Sequence, residues 1–128
     1  MQALYSPFEQ PADRVLQAVK NQLPTTPLVS VVMTAYNAQP WLQSAAQSIL
    51  SQTWPTLELL IVDDCSSDHS RECIREIAQH DSRVRPIWMQ ANGGTYLAKN
   101  AALRLVRGDV VTFMDSDDTC TPDRLELQ

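Results

Sequence analysis

From Leu28 onward the chain repeats one plan: a short apolar run, a polar loop, then a segment with apolar residues every three or four positions. LVSVVMTAY, Leu28 to Tyr36, is short and rich in β-branched residues, the pattern of a strand buried on both faces. The pairs Trp41/Leu42, Ala45/Ala46 and Ile49/Leu50 recur every four residues and predict a helix from about Pro40 to Gln52, with proline suited to its first turn. ELLIVDD, Glu58 to Asp64, reads as a second strand. Asp68 is placed to cap a helix running to about Gln79, with Cys73, Ile74, Ile77 and Ala78 facing inward. VRPIWM, Val84 to Met89, is a third strand, and Pro86, which lacks a ladder donor, assigns it to an edge. Thr95 is expected to cap a helix to about Arg107, with Leu97, Ala101 and Leu105 in one row and Gly108 ending it. VVTFM, Val110 to Met114, reads as a buried fourth strand. Ahead of these units, Ala12 to Gln22 predicts a lead-in helix with Val15, Leu16 and Val19 on one side, ended by Pro24 and Pro27. The chain thus divides into a helical lead-in, 1–26, and a main unit, 27–128.

Strands alternating with helices imply an α/β fold, a Rossmann-like three-layer sandwich around a mostly parallel sheet with right-handed crossovers. A 3-2-1-4 strand order sets the first strand between the second and the fourth. The loops after those three strands then meet: Thr34 to Asn37, Asp63–Asp64, and Asp115 to Asp118. Ligands of such sheets bind outside the carboxyl ends of the strands, where the strand order reverses.

Composition narrows the function classes. With 128 residues the chain fits one domain, and 44% apolar residues suffice for a core. The net charge is −5 and the ten Lys and Arg are scattered, which argues against a nucleic-acid surface. Three cysteines without a C-x-x-C pair argue against zinc or a disulfide framework, and for reduced thiols. The first residues lack an apolar signal core, and no apolar run is long enough to span a bilayer. The expectation is a cytoplasmic protein, at most peripheral to the inner face of a membrane.

The acidic residues are grouped where the basic ones are not. Carboxylates at close range raise one another's pKa unless a cation compensates, so Asp115, Asp117 and Asp118 ask for a positive partner. Magnesium or manganese binds through one or two carboxylates plus substrate phosphates. The alternative is a solvated acidic turn with Asp118 or Thr119 capping a helix. Asp64, ending the second strand, can take ribose hydroxyls or a base N–H, or merely shape the DDCSSD turn. Tyr36 can stack on a planar base or pack in the core. Asn92-Gly93-Gly94 opens a helix, and Lys99 one turn in can reach a phosphate or stay a surface lysine. No G-x-G-x-x-G or Walker loop is present.

Four ordered blocks, PLVSVVMTAYN, SILSQTWPTLELLIVDDCSSD, NGGTYLAKNAAL and GDVVTFMDSDDTCTPDRL, resemble the family 2 glycosyltransferases of the GT-A fold. The resemblance runs from Pro27 to Leu125 and implies a nucleotide-sugar donor site, most often for a UDP-sugar, with Mn²⁺ or Mg²⁺ on the diphosphate. It places Thr34 and Tyr36 at the base pocket, Asp64 on the base edge and Lys99 near the nucleotide. Asp115 falls at the ribose or the metal, Asp117 is the metal ligand, and Asp118 is a second candidate for the metal. It also implies further strands, an acceptor site and a catalytic base beyond Gln128. The chain is therefore expected to be the donor-binding part of a truncated GT-A domain, inactive alone, from bacterial polysaccharide synthesis.

Two rival readings differ in class. VVTFMDSDDT also fits the strand and D-x-D-x-T of haloacid-dehalogenase-like phosphatases, with Asp115 as nucleophile, Asp117 as general acid/base and magnesium as cofactor. Three strand–helix units precede it, however, where that motif normally opens its domain. The other is a non-catalytic nucleotide-binding or assembly module, a homo-oligomer formed through the unfinished sheet edge.

Overall fold

Four apolar runs pair into one parallel sheet: β1 (Val29–Ala35), β2 (Leu57–Asp63), β3 (Val84–Trp88) and β4 (Val110–Asp115), in the order β3-β2-β1-β4. The structure, a computed structural model, describes residues 26–117, 122 and 125. The lead-in segment, Asp118 and Cys120 lie outside the described residues. Three helices stand among the described residues: α1 (Gln39–Leu50), α2 (Ser70–His80) and α3 (Gly94–Leu103). None of the described helices is long and apolar enough to cross a membrane.

Period-two alternation assigns each strand residue to a face. Val29, Val31, Met33 and Ala35 join Leu57, Leu59 and Ile61 in a core closed by Leu42, Ala45 and Ile49 of α1 and by Ile74 and Ile77 of α2. Val32, Leu60 and Val62 form a second core with Ala98 and Ala102 of α3. The result is the expected three layers. β1 and β2 are buried along almost their whole length because helices cover both faces.

Several expectations about the helices need correction. Thr95 does not cap α3, which starts one residue earlier with Gly93 at its N-cap and no side-chain cap bond. Its inner row is Ala98 and Ala102, whereas Leu97 and Leu105 are about half exposed. Alanines let α3 lie close on the branched residues of β1 and β2, and leucines there would hold it away. The helix also ends at Leu103, short of Arg107. At α2 the N-cap is His69, not Asp68. Asp68, one residue further out, still takes the Ser70 N–H at 2.9 Å, and its other oxygen takes that of Gln39 at 3.4 Å, so it ties the starts of α1 and α2 together. β4 is less buried than its apolar run suggests, with Phe113 39% exposed, because it is an edge of the described sheet.

At the opposite end of the sheet from the acidic loops, a polar cluster fixes the register. The Ser30 hydroxyl donates to Glu58 at 2.6 Å and accepts the Gly108 N–H at 2.8 Å. Glu58 also receives the Arg107 N–H at 2.7 Å and the Arg85 guanidinium at 2.8 Å. Burial pushes the Glu58 carboxyl up, but the bonds from Ser30, Arg107 and Arg85 outweigh it and hold its pKa below the ordinary 4.5. One carboxylate thereby links β1, β2, β3 and the lead into β4. Gly108 passes so close that a Cβ there would overlap the Ser30 hydroxyl and stand 2.7 Å from the Leu28 carbonyl oxygen.

Two outcomes follow. Because the folded pKa of Glu58 is depressed, its stabilisation is full above pH 4.5 and is lost as pH falls through the lower folded value. Glu58→Gln should therefore cost about 3 kcal/mol in urea unfolding at neutral pH, with the difference from wild type shrinking in acid. Gly108→Ala should cost about 1–3 kcal/mol by overpacking, read as a lower thermal midpoint.

Candidate functional site

β1 lies between β2 and β4 with Ala35 opposite Asp63 and Thr34 opposite Asp115, so the three carboxyl ends finish level. Above them opens a crevice of about 280 Å³. Its floor is Thr34, Ala35 and Tyr36 from β1 and its exit. Asp64 stands on the β2 side, and Asp115, Ser116 and Asp117 on the β4 side. The first turns of α1 (Ala38, Trp41) and α3 (Thr95, Ala98) make the flanks. Thr34, Tyr36, Asp64, Asp115 and Asp117, five of the residues singled out from sequence, thus share one space.

The loops around it are held by polar contacts between them. Asn37, at a φ of 49°, takes the Ser67 N–H on its side-chain oxygen at 2.8 Å. Its own N–H goes to the Ser66 hydroxyl at 3.0 Å, and that of Ala38 to Ser70 at 3.0 Å. Asparagine tolerates the left-handed backbone that this turn requires. Asp63 points to the α2 side, where one oxygen accepts from Arg71 at 2.8 Å and from the Ser66 N–H at 3.1 Å. Its other oxygen is buried without a partner among the described residues.

Asp64 is almost fully buried, and its two oxygens accept the Gly93 and Gly94 N–H groups, each at 2.9 Å. It thus satisfies the uncapped start of α3 that Thr95 was expected to cap, and its orientation over the crevice is fixed. Gly94 has a φ of 84°, which a side chain rarely adopts. Tyr36 is 52% exposed and lines the crevice, and is not packed in the core. Lys99 stands outside the lining, with its ammonium 5.1 Å from the Phe113 ring centre. Sequence reasoning missed Trp41, whose place in an apolar pair assigned it to the core. In the structure Leu42 is buried and Trp41 is half exposed into the crevice. The polar loop contacts of Asn37, Ser66 and Ser70 were legible only as turn composition.

Among the described residues the crevice lining carries three carboxylates and no basic side chain. Asp115 ends β4 and Asp117 lies on the turn after it, both exposed, and neither side chain has a hydrogen-bond or ion-pair partner among the described residues. Those residues contain no cluster of three or more metal-ligating side chains. Two unengaged carboxylates are nevertheless a fitting donor set for a hard divalent cation that keeps its other positions for water and phosphate oxygen.

Residues 30–128 match the family model described as glycosyl transferase family 2. The chain belongs to this family. Among curated relatives, the chain is similar to the teichuronic acid biosynthesis glycosyltransferase TuaG of Bacillus subtilis (strain 168), with 39% identity over 102 residues, 80% of this chain and 40% of that protein. Another is WfgD of Escherichia coli, a UDP-Glc:alpha-D-GlcNAc-diphosphoundecaprenol beta-1,3-glucosyltransferase, 38% identical over 101 residues, 79% of this chain and 39% of that one. Among solved structures, S. aureus TarS 1–349 in complex with UDP-GlcNAc superimposes with a TM-score of 0.71 at 30% identity, covering 77% of this chain and 29% of that one. The parallel 3-2-1-4 sheet is therefore that of a GT-A glycosyltransferase. The chain spans about 40% of the length of the two curated relatives named. The family 2 match includes VVTFMDSDDT, and the phosphatase reading of that stretch has no support.

Removing the Asp64 carboxylate should loosen the start of α3. With about 1.5–3 kcal/mol for a hydrogen bond to a charged group, Asp64→Ala should speed amide exchange at Gly93 and Gly94 roughly ten- to hundredfold, while β1 amides stay protected.

Proposed function

We propose that this chain carries the donor-binding part of a glycosyltransferase that takes a UDP-type nucleotide-sugar with a divalent cation, in the synthesis of a bacterial polysaccharide. One observation carries the reading: Tyr36 and Asp64 meet Asp115 and Asp117 in a single crevice at the carboxyl ends of β1, β2 and β4. Support comes from the family match and from a 30% identical transferase crystallised with UDP-GlcNAc. The polysaccharide class is supported by the names of TuaG and WfgD.

Roles follow from position. The half-exposed Tyr36 ring offers a face to the uracil base, with Thr34 beside it. Asp64, already oriented by two backbone N–H groups, has lone pairs left for a base N–H. Asp115, opposite Thr34 in the ladder, serves the ribose hydroxyls or the metal. Mn²⁺ or Mg²⁺ would be held by Asp117, with Asp118 as the alternative carboxylate, and when bound would offset charge on the diphosphate. Lys99 is on α3 beside Ala98 but outside the lining, and acts at most on phosphates at the rim. In this reading the chain's own residues bind and orient the donor.

Calorimetry tests the proposal. UDP should bind in the presence of Mn²⁺, and chelation of the metal should weaken binding at least about tenfold, the equivalent of about 1.4 kcal/mol. Asp117→Ala should remove the metal-dependent part and leave the melting temperature unchanged. A folded wild-type protein that takes up no UDP with Mn²⁺ present would contradict it.

A further inference from the structure

We infer that Trp41 is a second aromatic wall of the donor site, taking the nucleoside part of the bound nucleotide across the crevice from Tyr36. The inference rests on the nucleotide-donor reading and adds to it a residue which that reading does not use.

Three tryptophans are described, and two of them are engaged. Trp54 donates its ring N–H to the Pro27 carbonyl at 3.1 Å. Trp88 lies under the guanidinium groups of Arg71 and Arg75, at 5.7 and 5.1 Å from the ring centre. Trp41 has neither kind of partner among the described residues, and its side chain is left 51% exposed. On the same helix Leu42, Ala45 and Ile49 account for the packing against the sheet. Trp41 is therefore not needed to hold α1 down. Its ring instead faces the same small space as Tyr36, Asp64 and Asp117.

Tyr36, Asp64 and Trp41 line one crevice of about 280 Å³, so a planar ring held there has the α1 flank as a neighbour. An indole face suits a planar base and the apolar side of a ribose, and such stacking is tolerant of which base is present. Selectivity for the base would then fall to Asp64, and Trp41 would contribute affinity. Its ring N–H is a donor with no acceptor among the described residues, and is left for a polar atom of the bound nucleotide.

UDP with Mn²⁺ is titrated into wild type, Trp41→Ala and Trp41→Phe, following both heat and tryptophan emission. Wild-type emission should change on binding, and that change should be absent in Trp41→Phe, which retains Trp54 and Trp88. Affinity should fall at least about fivefold in Trp41→Ala and stay within about twofold in Trp41→Phe. Equal affinity in wild type and Trp41→Ala would overturn the role of Trp41 and leave the donor reading standing. No binding by folded wild type would remove the donor reading and this inference with it. Should Trp41→Ala fail to fold, the emission of Trp41→Phe decides: a ligand-induced change that persists there overturns the inference.

Discussion

The site depends on β1 running between β2 and β4 in a fixed parallel register. The ladder from Val29 opposite Leu57 and Val110 to Thr34 opposite Val62 and Asp115 brings three separate loops to one level. A slip of one residue on either side would turn the side chains of that strand to the other face. Asp64 would then leave the face that it shares with Thr34 and Tyr36. The carboxylates are thus placed by hydrophobic burial far below them, through the alternation of Val31, Val32 and Met33 between two cores.

The register is also tied at the far end. Ser30, Glu58, Arg85 and the backbone of Arg107 and Gly108 form a cluster in which β1, β2, β3 and the lead into β4 each contribute or receive a hydrogen bond. A buried carboxylate with a guanidinium and two further donors is satisfied in only one arrangement of the strands. The polar atoms at the base of the sheet therefore specify the pairing that the apolar residues stabilise. At the top, the contacts of Asn37 with Ser66 and Ser67 do the same for the loops.

Much of this was legible in the amino-acid sequence because it rests on period and order. The β-branched runs gave four strands, Pro86 marked the edge, and the strand–helix alternation led to the 3-2-1-4 sheet and to the meeting of Asp64, Asp115 and Asp117. What escaped depends on three-dimensional spacing. Ala98 and Ala102 face the sheet because α3 lies close to it, whereas a hydropathy pattern favours Leu97 and Leu105 for that place. Thr95 looks like a cap, but the donors at the start of α3 are taken by Asp64, 29 positions before Gly93 in the chain. Trp41 reads as core because apolar pairing does not say which member of the pair the helix turns outward.

Among the described residues three carboxylates line the crevice and no basic side chain answers them within it. To a bare polyanion this is a repulsive place, and to a cation an attractive one. Added salt should then act in opposite senses on the two. Screening over a length of about 8 Å at physiological ionic strength weakens the hold on a cation and lowers the barrier to an anion arriving alone. Near neutral charge, a cation–diphosphate pair is the species least sensitive to salt. The same three aspartates therefore disfavour a bare polyanion relative to an occupant that enters already charge-compensated.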